Sequence, residues 1–149
     1  MSINISRRLL NEIHSQGENA YPEEGAGLLL GYEREGIRFV QSLLMLENAR
    51  EDTARHNRYL ITATDMLGGE KEAERLGQSI IGIFHSHPDH PNLPSEFDRE
   101  WAIPWYSYLI TRVDNGRAVE SKSWRLFDDR SGFSPEDIII SPEENSRTT

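Results

Sequence analysis

A chain of 149 residues can bury one hydrophobic core but is short for two, and 36% hydrophobic with 28% charged residues is the balance of a water-soluble globular domain. A net charge of -9, with no cluster of lysine and arginine to offset it, argues against nucleic acid and anionic membrane as partners. The absence of cysteine excludes disulfides, thiolate nucleophiles and thiolate metal sites, and with no run of eighteen apolar residues and no apolar segment behind the N-terminal arginines, a cytoplasmic protein is expected.

In chain order, Ser6 is a good N-cap, and Ile5 with Leu10 has the spacing of a hydrophobic staple, so a first helix is predicted over 7–16, with Tyr21-Pro22 ending whatever survives Gly17. Residues 25–32 (GAGLLLGY) read as a strand, 33–36 as a turn and 37–46 as the antiparallel partner. The polar, aperiodic stretch 47–58 reads as a loop or as containing a short irregular strand. Thr62 and Asp65 have capping-box spacing, and Met66, Ala73 and Leu76 recur on one helical face. Gly77 is a natural stop for that helix, and a strand over 79–85, apolar on both faces, follows. A short helix is predicted over 95–102. Two strands, 106–113 and 118–127, are joined through Asn115-Gly116, a strong hairpin signal. A last short strand is expected over 138–140. The expected fold class is α/β: a single domain over 1–140, with a central mixed, mostly antiparallel β-sheet flanked by helices on both sides, and a disordered tail over 141–149.

The chemistry concentrates in 80–98, IIGIFHSHPDHPNLPSEFD. Residues two apart on a strand point the same way, so His85 and His87 leave its end side by side while Ser86 faces the other way. Pro88 cannot donate to a ladder, so the strand stops there and the chain can fold back to bring Asp98 to the same point. Two imidazoles, one carboxylate and a fourth position left to water make the ligand set of a catalytic zinc. Duller readings exist for each residue. Ser95 and Asp98, at i and i+3 after a proline, are also a plain helix N-terminus. Asp89 and His90 lie in the loop beyond Pro88 and are read as decoys or as groups behind the ligands. His14 and His56 are read as surface residues, and Trp101, Trp105 and Tyr106 as core or rim.

HSHP followed by PSxxD, with ten residues between His87 and Asp98, resembles the signature of the JAMM (MPN-plus) metalloprotease family, in its small stand-alone prokaryotic type. Seven positions fall at that spacing: His85, Ser86, His87, Pro88, Pro94, Ser95 and Asp98. Glu24, ahead of Gly25 and an apolar run, matches the glutamate that the family places before an early strand; Glu23 is the neighbouring alternative. The resemblance implies a cytidine-deaminase-like JAMM/MPN fold. It also implies one Zn2+ per chain held by His85, His87 and Asp98, Glu24 hydrogen-bonded to the water that the metal activates, and Ser95 steadying the oxyanion. The activity implied is cleavage of an amide or isopeptide bond behind the Gly-Gly tail of a ubiquitin-like or sulfur-carrier protein. Two rivals are a non-haem iron oxygenase, which shares the two-histidine, one-carboxylate set, and a binding scaffold that keeps the MPN fold without chemistry.

Overall fold

The computed structural model describes residues 1–46, 61–103 and 105–142, without the side chains of Phe97 and Trp101. The loop predicted over 47–58, with His56, lies outside the described residues. In order, the elements are β1 (Ser2–Ser6), α1 (Arg7–Ala20), β2 (Ala26–Arg34), β3 (Ile37–Leu46), α2 (Ala63–Leu76), β4 (Ser79–Pro88), α3 (Glu96–Trp101), β5 (Ser107–Asp114), β6 (Arg117–Leu126) and β7 (Phe133–Ser141).

Most of these arise where local chemistry points. Ser6 Oγ accepts the Leu9 N–H at 3.1 Å and starts α1. Thr62 and Asp65 close a reciprocal capping box on α2, and Gly77 ends it in the left-handed region at φ 71°. Asn115 and Gly116, at φ 50° and 82°, make the two-residue turn between β5 and β6. Helix α1 runs four residues past its predicted end because Gly17 is packed: a Cβ there would stand 3.2 Å from Val113 Cγ2 and 3.3 Å from Ser86 Cβ. Gly69 in α2 has the same purpose, since a Cβ would meet Leu28 Cδ1 at 2.2 Å. Leu76, expected on the buried face of α2, is 38% exposed instead, one turn beyond the last contact of that helix with the core.

The expected central sheet flanked by helices on both sides is corrected to a sheet closed on itself with few helices against it. The seven strands close in the order β1-β3-β2-β4-β5-β6-β7, with β7 returning to β1. The α/β class and the mixed sheet stand: β1–β3, β1–β7 and β4–β5 are parallel pairs and the rest antiparallel. The joint is β1, whose Ile3 and Ile5 are fully buried. Its five residues carry too short an alternation to announce a strand; β7 is longer than the strand expected over 138–140, because its first half, 133–136, pairs with β6 while its second half pairs with β1. Ser141 closes β7; of the tail expected over 141–149, residues 143–149 lie outside the described residues.

The apolar residues form two clusters. One joins α1 (Leu9, Leu10, Ile13) to Leu29, Ile81 and Phe84; the other joins Ala73 of α2 to Leu28, Leu30, Ile83 and Tyr108. Alternation along β2 assigns the clusters to opposite faces. On β4 the alternation slips once, because Leu29 pairs with Gly82 and Leu30 with Ile80, leaving Ile81 as a bulge. The buried Arg38 guanidinium donates to the Ile81 carbonyl at 3.0 Å and to Ser107 Oγ at 3.0 Å, so the bulge costs no unsatisfied carbonyl. The slip puts Ile83, His85 and His87 together on the α2 side of the sheet. No helix among the described residues is long and apolar enough to cross a membrane.

Candidate metal centre

Strand β4 carries the two candidate histidines inside the sheet rather than beyond it. His85 pairs with Ala26 of β2 and Ile110 of β5, His87 with Arg112 and Pro88 with Val113. Both imidazoles are 1% exposed, with ring centroids 5.1 Å apart. Asp98 arrives on α3, where Ser95 Oγ accepts the Asp98 N–H at 3.0 Å and Asp98 Oδ2 accepts the Ser95 N–H at 2.7 Å. That capping box turns the carboxylate toward the histidines: Oδ1 lies 3.1 Å from His85 Nε2 and Oδ2 3.4 Å from His87 Nε2. The three side chains, all buried, offer ligand atoms within 4.8 Å of one another. Burial alone would raise the pKa of Asp98, but the charges and hydrogen bonds of His85 and His87 outweigh it and hold the carboxyl well below the ordinary carboxylate range.

The donor set fits a divalent metal. Ligand atoms about 2.1 Å from a tetrahedral zinc are about 3.4 Å apart, close to the separations seen. His87 Nδ1 is 2.7 Å from the Pro91 carbonyl, which can only accept, so Nδ1 carries the proton, and when the ring is neutral Nε2 presents a lone pair to Asp98. In the neutral ring two lone pairs would then face each other across that gap, and a cation held between them would relieve the repulsion. The Pro91 carbonyl is itself held, because Asn92, 4% exposed, donates through Nδ2 to the Glu120 carbonyl at 3.2 Å and accepts Trp124 Nε1–H at 3.2 Å on its backbone carbonyl. A carbonyl behind a ligating imidazole fixes its orientation and strengthens it as a donor.

Glu24 is 3% exposed, with Oε1 3.9 Å from His85 Nδ1, whereas Glu23 is only half-buried. Ser95 is exposed and lines a cleft of about 530 Å³ with Leu93, Trp124 and Phe133. Its oxygen serves the cap, so the helix-terminus reading of Ser95 and Asp98 holds, while the hydroxyl hydrogen remains for another acceptor. Asp89 stays out of the centre: it accepts from Tyr21 Oη and from the Asn115 N–H, clamping the loop to the β5–β6 turn. His90 is likewise outside the ligand group and stacks on His87 with centroids 4.3 Å apart. His14 departs from its surface reading, being half-buried with Nε2 2.9 Å from Ser121 Oγ. Trp105 is rim, at 77% exposure, and Tyr106 packs against the second cluster. Sequence reasoning missed Asn92 and Arg130. The Arg130 guanidinium donates to the carbonyls of Arg99, Glu100 and Ala102 at 2.9, 3.1 and 3.0 Å. Bonds to backbone carbonyls have no residue pattern that would announce them.

Known proteins resemble this arrangement. Residues 6–127 match the family described as prokaryotic homologs of the JAB domain. A probable TtuB-protein conjugate cleaving protease of Thermus thermophilus is 33% identical over 117 residues, which cover 76% of this chain and 72% of that protein. A solution structure from Desulfitobacterium hafniense superposes with a TM-score of 0.83 at 29% identity, covering 95% of this chain and 94% of the other. One from Salinibacter ruber gives 0.73 at 36% identity, covering 99% and 95%. A crystal structure of a JAB1/MPN domain protein from Archaeoglobus fulgidus, at 21% identity and a TM-score of 0.58 over 94% and 98%, shares the fold. With the histidine and aspartate block inside the matched residues, the chain belongs to the family of prokaryotic homologs of the JAB domain.

Proposed function

We propose that this protein is a zinc metallopeptidase of JAMM type that hydrolyses the amide or isopeptide bond following the Gly-Gly terminus of a ubiquitin-like or sulfur-carrier protein. The observation that carries the reading is the buried convergence of His85, His87 and Asp98 with the Glu24 carboxylate 3.9 Å from His85 Nδ1. The Thermus relative, named for cleaving TtuB-protein conjugates, supports the substrate class. Zinc in this centre would act as a Lewis acid and lower the pKa of a water to about 7.

The chain supplies the rest. Glu24 takes the proton of the attacking water and delivers it to the leaving amine, a contribution of about 10²- to 10⁴-fold. The Ser95 hydroxyl donates to the carbonyl oxygen as negative charge develops on it, worth about 10²- to 10³-fold. Burial of all four acidic and imidazole side chains keeps bulk water from competing for their charges.

The test is incubation of the zinc-loaded chain with a panel of Gly-Gly-ended ubiquitin-like fusions, read by mass spectrometry. Cleavage after the second glycine, abolished by a chelator and restored by zinc, is expected. A protein that binds zinc yet leaves every fusion intact is a scaffold; one that needs iron and oxygen belongs to the oxygenase chemistry.

A further inference from the structure

Ser86 sits between the two histidines in sequence and on the other face of β4, where it is 2% exposed. Its Oγ accepts the Gly25 N–H at 2.8 Å, and its own N–H donates to the Gly25 carbonyl at 3.0 Å. One residue of the metal-bearing strand thus holds both backbone polar groups of the residue that follows Glu24. Only the second of these is a bond between main-chain groups; the first depends on a hydroxyl.

The surroundings are shaped to keep that hydroxyl in place. Gly17 of α1 gives it room, since a Cβ at position 17 would press on Ser86 at 3.3 Å. From the same helix Gln16 Nε2 donates to the Ala26 carbonyl at 2.9 Å. A Cβ on Gly25 would lie 2.4 Å from Gln16 Oε1, so any larger residue there would push the Gln16 amide from its place, whereas glycine, the most conformationally free residue, leaves room for it. A glycine next to the acid leaves the Glu24 backbone little stiffness of its own, and the restraint comes from Ser86 and Gln16.

We infer that Ser86 is a positioning residue that acts through Gly25 to fix the Glu24 carboxylate beside His85. The inference rests on the role proposed for Glu24. A displacement of about 1 Å in a reacting group can cost about 10²-fold in rate, so removal of the hydroxyl should lower kcat without touching the ligands.

The experiment compares zinc-loaded Ser86→Ala, Ser86→Thr and Glu24→Gln, with the Ser86→Ala/Glu24→Gln double variant, on a Gly-Gly-ended ubiquitin-like fusion that the wild type cleaves. Ser86→Ala should bind one zinc with wild-type affinity and show an unchanged KM with kcat down about 10- to 100-fold. Ser86→Thr, which keeps the hydroxyl, should restore kcat. In the Glu24→Gln background, Ser86→Ala should cost nothing more, because the group it positions has lost its function. Wild-type kcat in Ser86→Ala, multiplicative losses in the double variant, or loss of zinc as the primary defect would each overturn the inference. If Ser86→Ala does not fold, Gln16→Ala releases the same segment from the α1 side and must show the same selective fall in kcat. A wild type that cleaves no fusion brings down the proposed function itself, a distinct result from a wild type that cleaves and a Ser86→Ala that matches it.

Discussion

Replacing Ser95 with glycine separates two tasks that its hydroxyl is placed to perform. The oxygen caps α3 by accepting the Asp98 N–H at 3.0 Å; the hydrogen is the proposed oxyanion donor. Glycine is poorer than serine as an N-cap by only a few tenths of a kcal/mol, whereas alanine costs about 1 kcal/mol. For a domain near 150 residues about 1 kcal/mol shifts Tm by about 2–4 °C. Ser95→Gly should therefore melt within about 1 °C of the wild type, and Ser95→Ala about 2–4 °C below it. The main-chain N–H of residue 95, which orients Asp98 Oδ2 at 2.7 Å, survives both substitutions. Zinc affinity should then stay within about threefold, less than 1 kcal/mol. Turnover should not follow stability: both variants lose the same donor, and kcat should fall about 10²-fold in each with little change in KM. Calorimetric melting, zinc titration and steady-state kinetics on one Gly-Gly fusion read the three quantities. Full turnover in Ser95→Gly would refute the donor role and leave Ser95 as a cap alone.

His87→Ala should abolish both bound zinc, measured by elemental analysis of dialysed protein, and peptidase activity; retention of stoichiometric zinc would remove His87 from the ligand set. Glu24→Gln should keep the metal and lose about 10²- to 10⁴-fold in kcat, and an unchanged rate would reassign the base to Glu23. Arg130→Ala should weaken zinc binding by about 10-fold, in the range of lost contacts behind a ligand. A chelator competition checks this, and unaltered affinity would show that α3 holds its place without the guanidinium.

What could be read from the sequence was whatever is encoded by neighbours. Thr62 and Asp65, Asn115-Gly116, and His85 with His87 lie within a few residues of each other, and the structure realises each as expected. Asp98 was legible because loop length bounds how far the chain can travel after Pro88. Glu24 was not: an acid ahead of a strand is ordinarily solvated, and only the family resemblance selects it; the structure adds that it is buried beside His85, which is compatible with the role proposed for it. The closure of the sheet escaped notice because it depends on Ser2–Ser6 meeting Phe133–Ser141, a pairing that spans nearly the whole chain. The supports behind His87 escaped for another reason. The Pro91 carbonyl is backbone, and Asn92 reaches a carbonyl 28 residues away, so neither leaves a trace in residue type.

Helix α3 shows why such supports decide the chemistry. Isolated helices shorter than about 12 residues are marginal in water, and α3 has six residues. Its own hydrogen bonds therefore cannot fix where Asp98 stands, and its ends must. At the start is the reciprocal box between Ser95 and Asp98; at the finish Arg130, from the β6–β7 connection, donates to three carbonyls. Just beyond, the Ile103 N–H donates to the hydroxyl of Tyr108. Tyr108 is buried on β5 opposite Ile83 of β4, two residues before His85. The carboxylate is in this way tied to the parallel pair β4–β5, whose β4 carries both imidazoles, although ten residues of chain lie between it and His87. A metal entering this centre would find the three candidate side chains already held, so little chain entropy would remain to be lost on binding. Changes on the β6–β7 connection, which lies outside the ligand set, should accordingly be felt first as weaker metal affinity.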